Sequence, residues 1–301
     1  MAEIQFGWVL NGGPKREMSS REYNEISRRQ VELLREQIAS LWFVDHVQFG
    51  DSPVLEGWTA LTYFAALYPQ FQVGHMVLCQ SFRNPALLAK MAATLQYLSQ
   101  GRFVLGIGAG WHEEEYRAYN YAFPTPRART EQLEETLQIV KALWTEKQVT
   151  FEGQHHTVNA AYCEPKPDPL PPIIVGGHGR RMLRLVARYA DGWNIAWSKP
   201  VTYQEKLKAF EQACQKEGRD PTQVRRSWFG RCTCVTSSEE SGTLNGMGLL
   251  GTPGQIIEQI QAYVDLGIDY FMLGTRDVTD LTTVELLARE VFPYFKSLRK
   301  A

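Results

Sequence analysis

The chain has 301 residues, of which 44% are apolar and 22% are charged, and its formal net charge is -1. This balance is typical of a globular protein with a sizeable core, and it excludes the strong electrostatic attraction that nucleic acid or an anionic membrane requires. No apolar run approaches the ~18 residues of a membrane span, and the amino terminus lacks the basic and apolar regions of a secretory signal. We therefore expect a cytoplasmic protein.

Short apolar strands and longer helices alternate along the first part of the chain. The hydrophobic spacing predicts strands over residues 4–10, 40–44, 71–78 and 103–107, and helices over residues 20–37, 58–68 and 85–98. The third helix has clear boundary signals: Asn84 is an N-cap, Pro85 takes the first helical position, and Gly101 ends the helix.

The alternation continues in the second part, after a helix predicted over residues 131–144. Residues 149–172 hold five prolines and the pair His155-His156, which indicates a β-excursion and an irregular loop. Further strands are predicted over residues 173–175, 193–197, 227–235 and 268–273, and further helices over residues 183–189, 203–216, 252–264 and 279–298. The Gly/Ser-rich segment 237–251 is expected to be mobile. About eight strand–helix alternations favour one parallel α/β domain over residues 1–301, as a (β/α)8 barrel or an open doubly wound sheet.

A glycine cluster follows the fourth strand, at Gly106, Gly108 and Gly110. A dinucleotide fingerprint would need a third glycine at position 111, which is Trp111, so we reject that interpretation. Glycines here can let a flat ring approach the backbone; a simple strand–helix turn explains them equally well. The acidic run 113–115 that follows suits the start of a short helix, and one of its carboxylates remains free to enter the pocket.

A second glycine cluster runs from Gly176 to Gly179 and is followed by Arg180 and Arg181. It lies between a predicted strand and a predicted helix, where backbone N–H groups bind phosphate. A tight turn with a solvent-facing arginine pair is the alternative. Phosphate binding is favoured, because barrels often bind phosphate in this way.

Asp45 and His46 end the second strand, which places both at the catalytic face of a barrel. His46 can exchange a proton with a substrate hydroxyl, although a histidine that only fills a hydrogen-bonding position fits the same sequence. His155-His156 has no carboxylate at ligand spacing, so no metal site is predicted. The five cysteines include no C-x-x-C pair, which argues against a disulfide framework or structural zinc.

Eight segments occur together in an order that resembles the bacterial luciferase-like superfamily, in particular its deazaflavin-dependent (coenzyme F420) oxidoreductases. They are SLWFVDH (40–46), NPALLAKMAATL (84–95), GRFVLGIGAGW (101–111), LWTE (143–146), VTFEG (149–153), GG (176–177), YADGWN (189–194) and GTPG (251–254). Each segment alone is a weak signal, and their combination covers nearly the whole chain. The resemblance implies a bacterial-luciferase-like (β/α)8 TIM barrel with insertions.

The resemblance also implies the site residues. His46 matches a histidine that works near the hydride-transfer centre, with Asp45 beside it, and the Met76-Val77 bond matches a non-proline cis peptide under the cofactor ring. The implied cofactor-binding residues are Met76, Val77, Cys79, Gly108, Gly110, Gly176, Gly177, His178, Gly179, Arg180 and Asn194. The implied cofactor is coenzyme F420, acting on a small organic substrate. We also expect a homodimer.

Two features depart from the dehydrogenases of this superfamily. Those enzymes carry a glutamate directly after the glycine cluster, where this chain has Trp111, and a tryptophan soon after the histidine, where this chain reads VQFG (47–50). A sugar-phosphate dehydrogenase is therefore not expected. Segment 237–251 is also short for the family, which implies a reduced lid over the pocket. The alternative activity is an FMN- and oxygen-dependent monooxygenase that takes reduced flavin from a separate reductase.

Overall fold

A closed barrel of eight parallel strands forms the centre of the protein, which we describe from a computed structural model over residues 3–297. The barrel strands in chain order are β1 (Gln5–Val9), β2 (Ser40–Phe43), β3 (Gln72–His75), β4 (Phe103–Gly108), β5 (Ile173–Gly176), β6 (Gly192–Ala196), β7 (Arg225–Cys234) and β8 (Tyr270–Thr275).

Each strand pairs with its neighbours in chain order, and the first strand pairs with the last. Gln5 of β1 lies opposite Tyr270 of β8, and Trp228 of β7 lies opposite Ile195 of β6. An open sheet would leave two unpaired edges, so the doubly wound alternative is wrong and the (β/α)8 barrel is confirmed.

Helices surround the barrel and follow the strands one by one. They are α1 (Ser20–Leu34), α2 (Gly57–Leu67), α3 (Pro85–Leu98), α4 (Pro126–Thr145), α5 (Arg180–Tyr189), α6 (Pro200–Lys216), α7 (Pro253–Val264) and α8, which runs as Leu281–Leu286, a π-helical turn Leu287–Val291 and Phe292–Ser297. The prediction that α8 extends to Leu298 lies outside the described residues. Among those residues, no helix is both long and apolar enough to cross a membrane.

Some boundaries differ from the sequence predictions. Helix α4 begins five residues earlier than predicted, because the Thr125 hydroxyl caps it and Pro126 occupies its first position. Segment 237–251 contains a short helix, Ser238–Thr243, and a strand, Leu249–Gly251, that pairs with β7.

Two layers of apolar side chains hold the barrel together. One side of each strand packs against the helices. The other side fills the barrel interior with a cluster of eight buried residues: Val9, Trp42, Met76, Val104, Ile174, Phe229, Tyr270 and Met272. This double burial explains the uninterrupted apolar strand signals of the sequence. All five cysteines are buried as free thiols.

The β-excursion is a two-stranded hairpin, Val149–Glu152 with Thr157–Ala161. At its turn, the Glu135 carboxylate accepts hydrogen bonds from the backbone N–H groups of residues 154–156. His155 also lies 3.6 Å from Glu131. Both histidines therefore belong to the packing of the hairpin on α4.

Candidate active site

The predicted site residues come from five of the barrel strands. All except Asn194, which lies within β6, are at or just after the carboxyl end of their strand. Since all eight strands are parallel, these ends form a single rim. The closed barrel thus brings together residues that the sequence spreads from Asp45 to Asn194.

The end of β3 has an irregular backbone. The Met76-Val77 peptide bond is cis, as the resemblance implies. The chain then resumes pairing with β4, where Leu78 and Cys79 lie opposite Ile107 and Gly108. Met76 packs into the barrel interior, and Val77 remains partly exposed. The bulge therefore presents Val77 at the rim.

Two predicted glycines make room for Val77. A Cβ atom at Gly108 would lie 2.9 Å from a Val77 methyl group, and one at Gly176 would lie 3.0 Å from it. Glycine at both positions lets the ends of β3, β4 and β5 approach each other closely. Val77 is thereby presented as an apolar surface on one side of the rim.

Gly110 has a φ of +78°, a conformation that favours glycine. A Cβ atom there would collide with the Tyr116 hydroxyl and lie 2.7 Å from Cys79 Sγ. The space beside Gly110 is therefore filled by protein side chains. Cys79 Sγ and the Tyr116 hydroxyl lie 2.8 Å apart, and burial raises the pKa of the Cys79 thiol to about 11, so Cys79 is protonated at neutral pH.

Asp45 is held by three hydrogen bonds. Arg83 donates to both carboxylate oxygens at 2.9 Å, and the backbone N–H of Cys79 donates to Oδ2 at 2.8 Å. The Asp45 side chain is 1% exposed. A bidentate, buried pair of this kind is rigid, so Asp45 ties the end of β2 to the irregular end of β3.

His46 points its ring at a carboxylate that the sequence did not single out. Nδ1 lies 3.0 Å from Glu115 Oε1, and Glu115 Oε2 accepts the backbone N–H of Val47 at 2.9 Å. Among residues 3–297, Nε2 has no hydrogen-bond partner, and it is not buried. A carboxylate on one ring nitrogen fixes the orientation of a histidine and leaves the other nitrogen available.

Glu115 comes from the short helix Glu113–Ala118 that follows the glycine cluster. Its side chain is 3% exposed, against 48% for Glu113 and 56% for Glu114. The acidic run signalled a helix start, but only the tertiary contact distinguishes Glu115 from its neighbours.

Aromatic side chains surround His46 on its exposed side. The ring centres of Phe49, Trp111 and His112 lie 5.5, 5.9 and 6.0 Å from that of His46. Trp111 is 65% exposed and Phe49 is 45% exposed. Large apolar surfaces of this kind at a rim indicate a ligand-binding wall.

The second glycine cluster forms the amino end of α5, as predicted. Gly179 is the N-cap and contributes no side chain to the cap, so the first-turn N–H groups of the helix are available to an anion. A Cβ atom at Gly179 would meet open space. His178, Arg180 and Arg181 are exposed beside it. This geometry suits a phosphate group.

Asn194 lies deeper than the rim. Its side chain is buried in the barrel, and Nδ2 donates to Ser227 Oγ at 3.0 Å. Its backbone carbonyl accepts the N–H of Gly177 at 3.2 Å. Asn194 therefore supports the second glycine cluster from β6. Across residues 3–297, no group of three or more His, Cys, Asp or Glu side chains is arranged to hold a metal ion.

The chain is similar to known proteins in sequence and in fold. The sequence profile of the family described as luciferase-like monooxygenase matches residues 4–242. An F420-dependent glucose-6-phosphate dehydrogenase from Kineococcus radiotolerans is 33% identical over 205 residues, which cover 65% of this chain and 60% of that protein. The chain thus spans somewhat under two thirds of the length of the curated relatives it matches.

Two solved structures share the fold. An F420-dependent secondary alcohol dehydrogenase in complex with an F420-acetone adduct superposes with a TM-score of 0.83, at 18% identity, over 96% of this chain and 98% of that chain. The monooxygenase RslO1 from Streptomyces bottropensis superposes with a TM-score of 0.82, at 22% identity, over 97% of this chain and 100% of that chain.

Proposed function

The chain belongs to the luciferase-like monooxygenase family, and from that premise we propose that it is an oxidoreductase that uses coenzyme F420 to move a hydride to or from a small organic substrate. The F420-dependent glucose-6-phosphate dehydrogenase among its relatives supports this choice of cofactor. The observation that carries the proposal is the His46–Glu115 pair, which lies at the same rim of the barrel as Val77.

The residues of the rim suit a phosphate-bearing flat cofactor. Val77, with Gly108 and Gly176 behind it, offers an apolar surface to a ring. The amino end of α5, at Gly177, His178, Gly179 and Arg180, offers N–H groups and positive charge to a phosphate. When bound, the deazaflavin supplies or accepts a hydride at the ring carbon that replaces a flavin nitrogen.

The remaining chemistry belongs to this chain. His46 Nε2 exchanges a proton with the substrate hydroxyl or carbonyl oxygen. Glu115 acts as a positioning residue, because its two oxygens hold His46 and the backbone that follows it. Asp45 is also a positioning residue, since its oxygens are occupied by Arg83 and Cys79. The aromatic wall of Phe49, Trp111 and His112 offers the substrate an apolar surface beside His46.

Use of FMN and oxygen is the second candidate, favoured by the monooxygenases that share the fold. Titration of the purified protein with F420 and with FMN, followed by fluorescence, separates the two. We expect micromolar binding of F420 and turnover without oxygen. Tight FMN binding with no response to F420 would contradict the proposal.

A homodimer, a location in the cytoplasm, a single domain over residues 1–301 and a separate reductase for the cofactor remain predictions. Sedimentation of the purified protein tests the first of these.

A further inference from the structure

Arg231 lies near the carboxyl end of β7, among side chains that face the barrel interior. Alternate residues of a strand share a face, and Phe229, two residues earlier, belongs to the interior cluster. Arg231 therefore continues the interior face of β7 upward to the rim. No motif in the sequence marked it.

The surroundings of Arg231 fix its guanidinium without neutralising it. Nη1 donates to the Thr275 carbonyl at 2.9 Å. Gly274 makes room for the guanidinium, since a Cβ atom there would lie 2.8 Å from Nη1. Burial lowers the pKa of Arg231 to about 10. Among residues 3–297, no carboxylate forms an ion pair with it.

Arg225 provides an internal comparison, because it lies on the same face of β7 at the opposite end of the strand. It pairs with Asp269 at 3.1 Å, and its guanidinium lies 4.1 Å from the centre of the Tyr270 ring. At the amino end of β7, the protein thus supplies a carboxylate to the arginine. At the rim, no described residue supplies an anion to the partly buried Arg231, and a charge that is partly removed from water without a counter-ion is costly unless a ligand supplies one.

The neighbours of Arg231 describe the missing anion. Asn11 and Arg231 both donate to the Thr275 carbonyl, at 3.2 and 2.9 Å, so the guanidinium is anchored to the end of β8. The Phe229 ring lies 6.0 Å from the Arg231 guanidinium, and Trp197 packs edge-on against Phe229. An anion with an apolar body would place its charge at the guanidinium and its body against the Phe229 ring.

We propose that Arg231 binds the carboxylate of an organic acid, so that the substrate class is a carboxylic acid bearing the reacting hydroxyl or carbonyl group. A guanidinium recognises a planar carboxylate through two parallel N–H groups. Arg231 retains several N–H donors beyond the one used by Thr275. Strand β7 is four strands from β3, so the acid group is held across the barrel mouth from Val77. This inference rests on the proposed function for the identity of the reaction.

The test compares Arg231→Gln with Arg231→Lys, and uses Arg226→Gln as the matched control. Glutamine can still donate to the Thr275 carbonyl but carries no charge, whereas lysine keeps the charge. Arg226 lies on the same strand, near its amino end, and donates to the Leu266 carbonyl. The probes are benzoate, its neutral analogue benzamide and inorganic phosphate, measured by calorimetry without cofactor.

We expect the wild-type protein to bind benzoate at least about 10-fold more tightly than benzamide, as a charge-assisted hydrogen bond requires. Arg231→Gln should abolish that preference, Arg231→Lys should retain part of it, and Arg226→Gln should leave it unchanged. Equal binding of benzoate by the wild type and Arg231→Gln would overturn the proposal, as would the absence of benzoate binding. If the binding of phosphate depended on Arg231 and the binding of benzoate did not, the carboxylate proposal would be rejected in favour of a phosphorylated substrate.

Thermal unfolding separates this role from a structural one. Without ligand, Arg231→Gln should unfold at the same temperature as the wild type or higher, because it removes an uncompensated charge. A clear loss of stability without loss of benzoate preference would show that Arg231 only ties β7 to β8. Titration of the wild type and the same variants with F420 tests the proposed function separately. If none of these proteins bound F420, that cofactor would be rejected, and the benzoate comparison would still test Arg231.

Discussion

Asp45 and His46 are adjacent residues with opposite environments. Successive side chains of an extended chain point to opposite sides, so Asp45 turns inward to Arg83 and His46 turns toward Glu115. The carboxylate of Asp45 has its oxygens occupied, whereas His46 keeps one accessible nitrogen. At the residue scale, the accessible nitrogen supports the proposal that His46 transfers the proton.

Replacing His46 by alanine should reduce turnover by roughly 10²-fold or more. It should leave F420 affinity nearly unchanged, because His46 is not one of the residues proposed to hold the cofactor.

Replacing Glu115 by glutamine should reduce kcat by about 10-fold with little change in KM, since a positioning residue acts through His46. Steady-state kinetics and F420 titration measure both effects. Unchanged turnover in His46→Ala would refute the role.

Helices α5 and α7 each have, at or near the N-cap, a glycine that faces open space. Gly179 is the N-cap of α5, and Gly254 lies in the first turn of α7. Neither glycine has a positive φ, so alanine is sterically acceptable at both. At the scale of the element, the two helices form a matched pair that differs at the cap. On α7 the Gln255 side chain accepts the N–H of the N-cap residue Thr252, whereas no described side chain caps α5.

Gly179→Ala should weaken F420 binding by about 10-fold, because a methyl group would stand where an anion approaches the first-turn N–H groups. The melting temperature should not change. Gly254→Ala should alter neither quantity. Fluorescence titration with F420, and with the deazaflavin ring compound that lacks the phosphate, gives the contrast. Equal weakening for both ligands would show that Gly179 does not contact the phosphate.

At the scale of the whole molecule, one buried histidine links the stability of the barrel to pH. His75 at the end of β3 is fully buried and stacks on Trp58, with ring centres 5.3 Å apart. Burial lowers its pKa from 6.5 to about 4. The unfolded chain therefore binds a proton at a higher pH than the folded chain does, and stability falls as the pH drops from about 6.5 to about 4.

His75→Phe keeps an aromatic ring and removes the titration. Its free energy of unfolding should fall less steeply across this pH window than that of the wild type, by up to about 3 kcal/mol at the acid end. Urea unfolding at pH 7, 6, 5 and 4.5 measures the difference. The exposed His178, replaced by glutamine, is the control. Its pKa is also lowered by partial burial, without the complete burial of His75, so this replacement should change the slope less than His75→Phe does. Parallel curves for His75→Phe would contradict the assignment.

Local patterns predicted much of this architecture. Apolar runs and capping residues such as Asn84 placed the strands and most helices, because helix and strand periodicities are properties of neighbouring residues. The two glycine clusters were placed at strand ends for the same reason. The start of α4 was missed, although Thr125 and Pro126 are boundary signals, because the polar first turns carry no apolar stripe.

Non-local contacts decided the rest. The sequence alone allowed an open sheet, and only the pairing of β1 with β8, more than 260 residues apart, closes the barrel. Nothing local distinguishes Glu115 from Glu114, or Arg231 from Arg225. Their environments depend on distant segments of the chain. Glu115 lies beside His46, and Arg231 lies beside the Thr275 carbonyl with no carboxylate paired to it among the described residues. Periodicity therefore determined where strands and helices form, whereas the partners of each charge were determined by the closed barrel, since electrostatic compensation depends on distance in space.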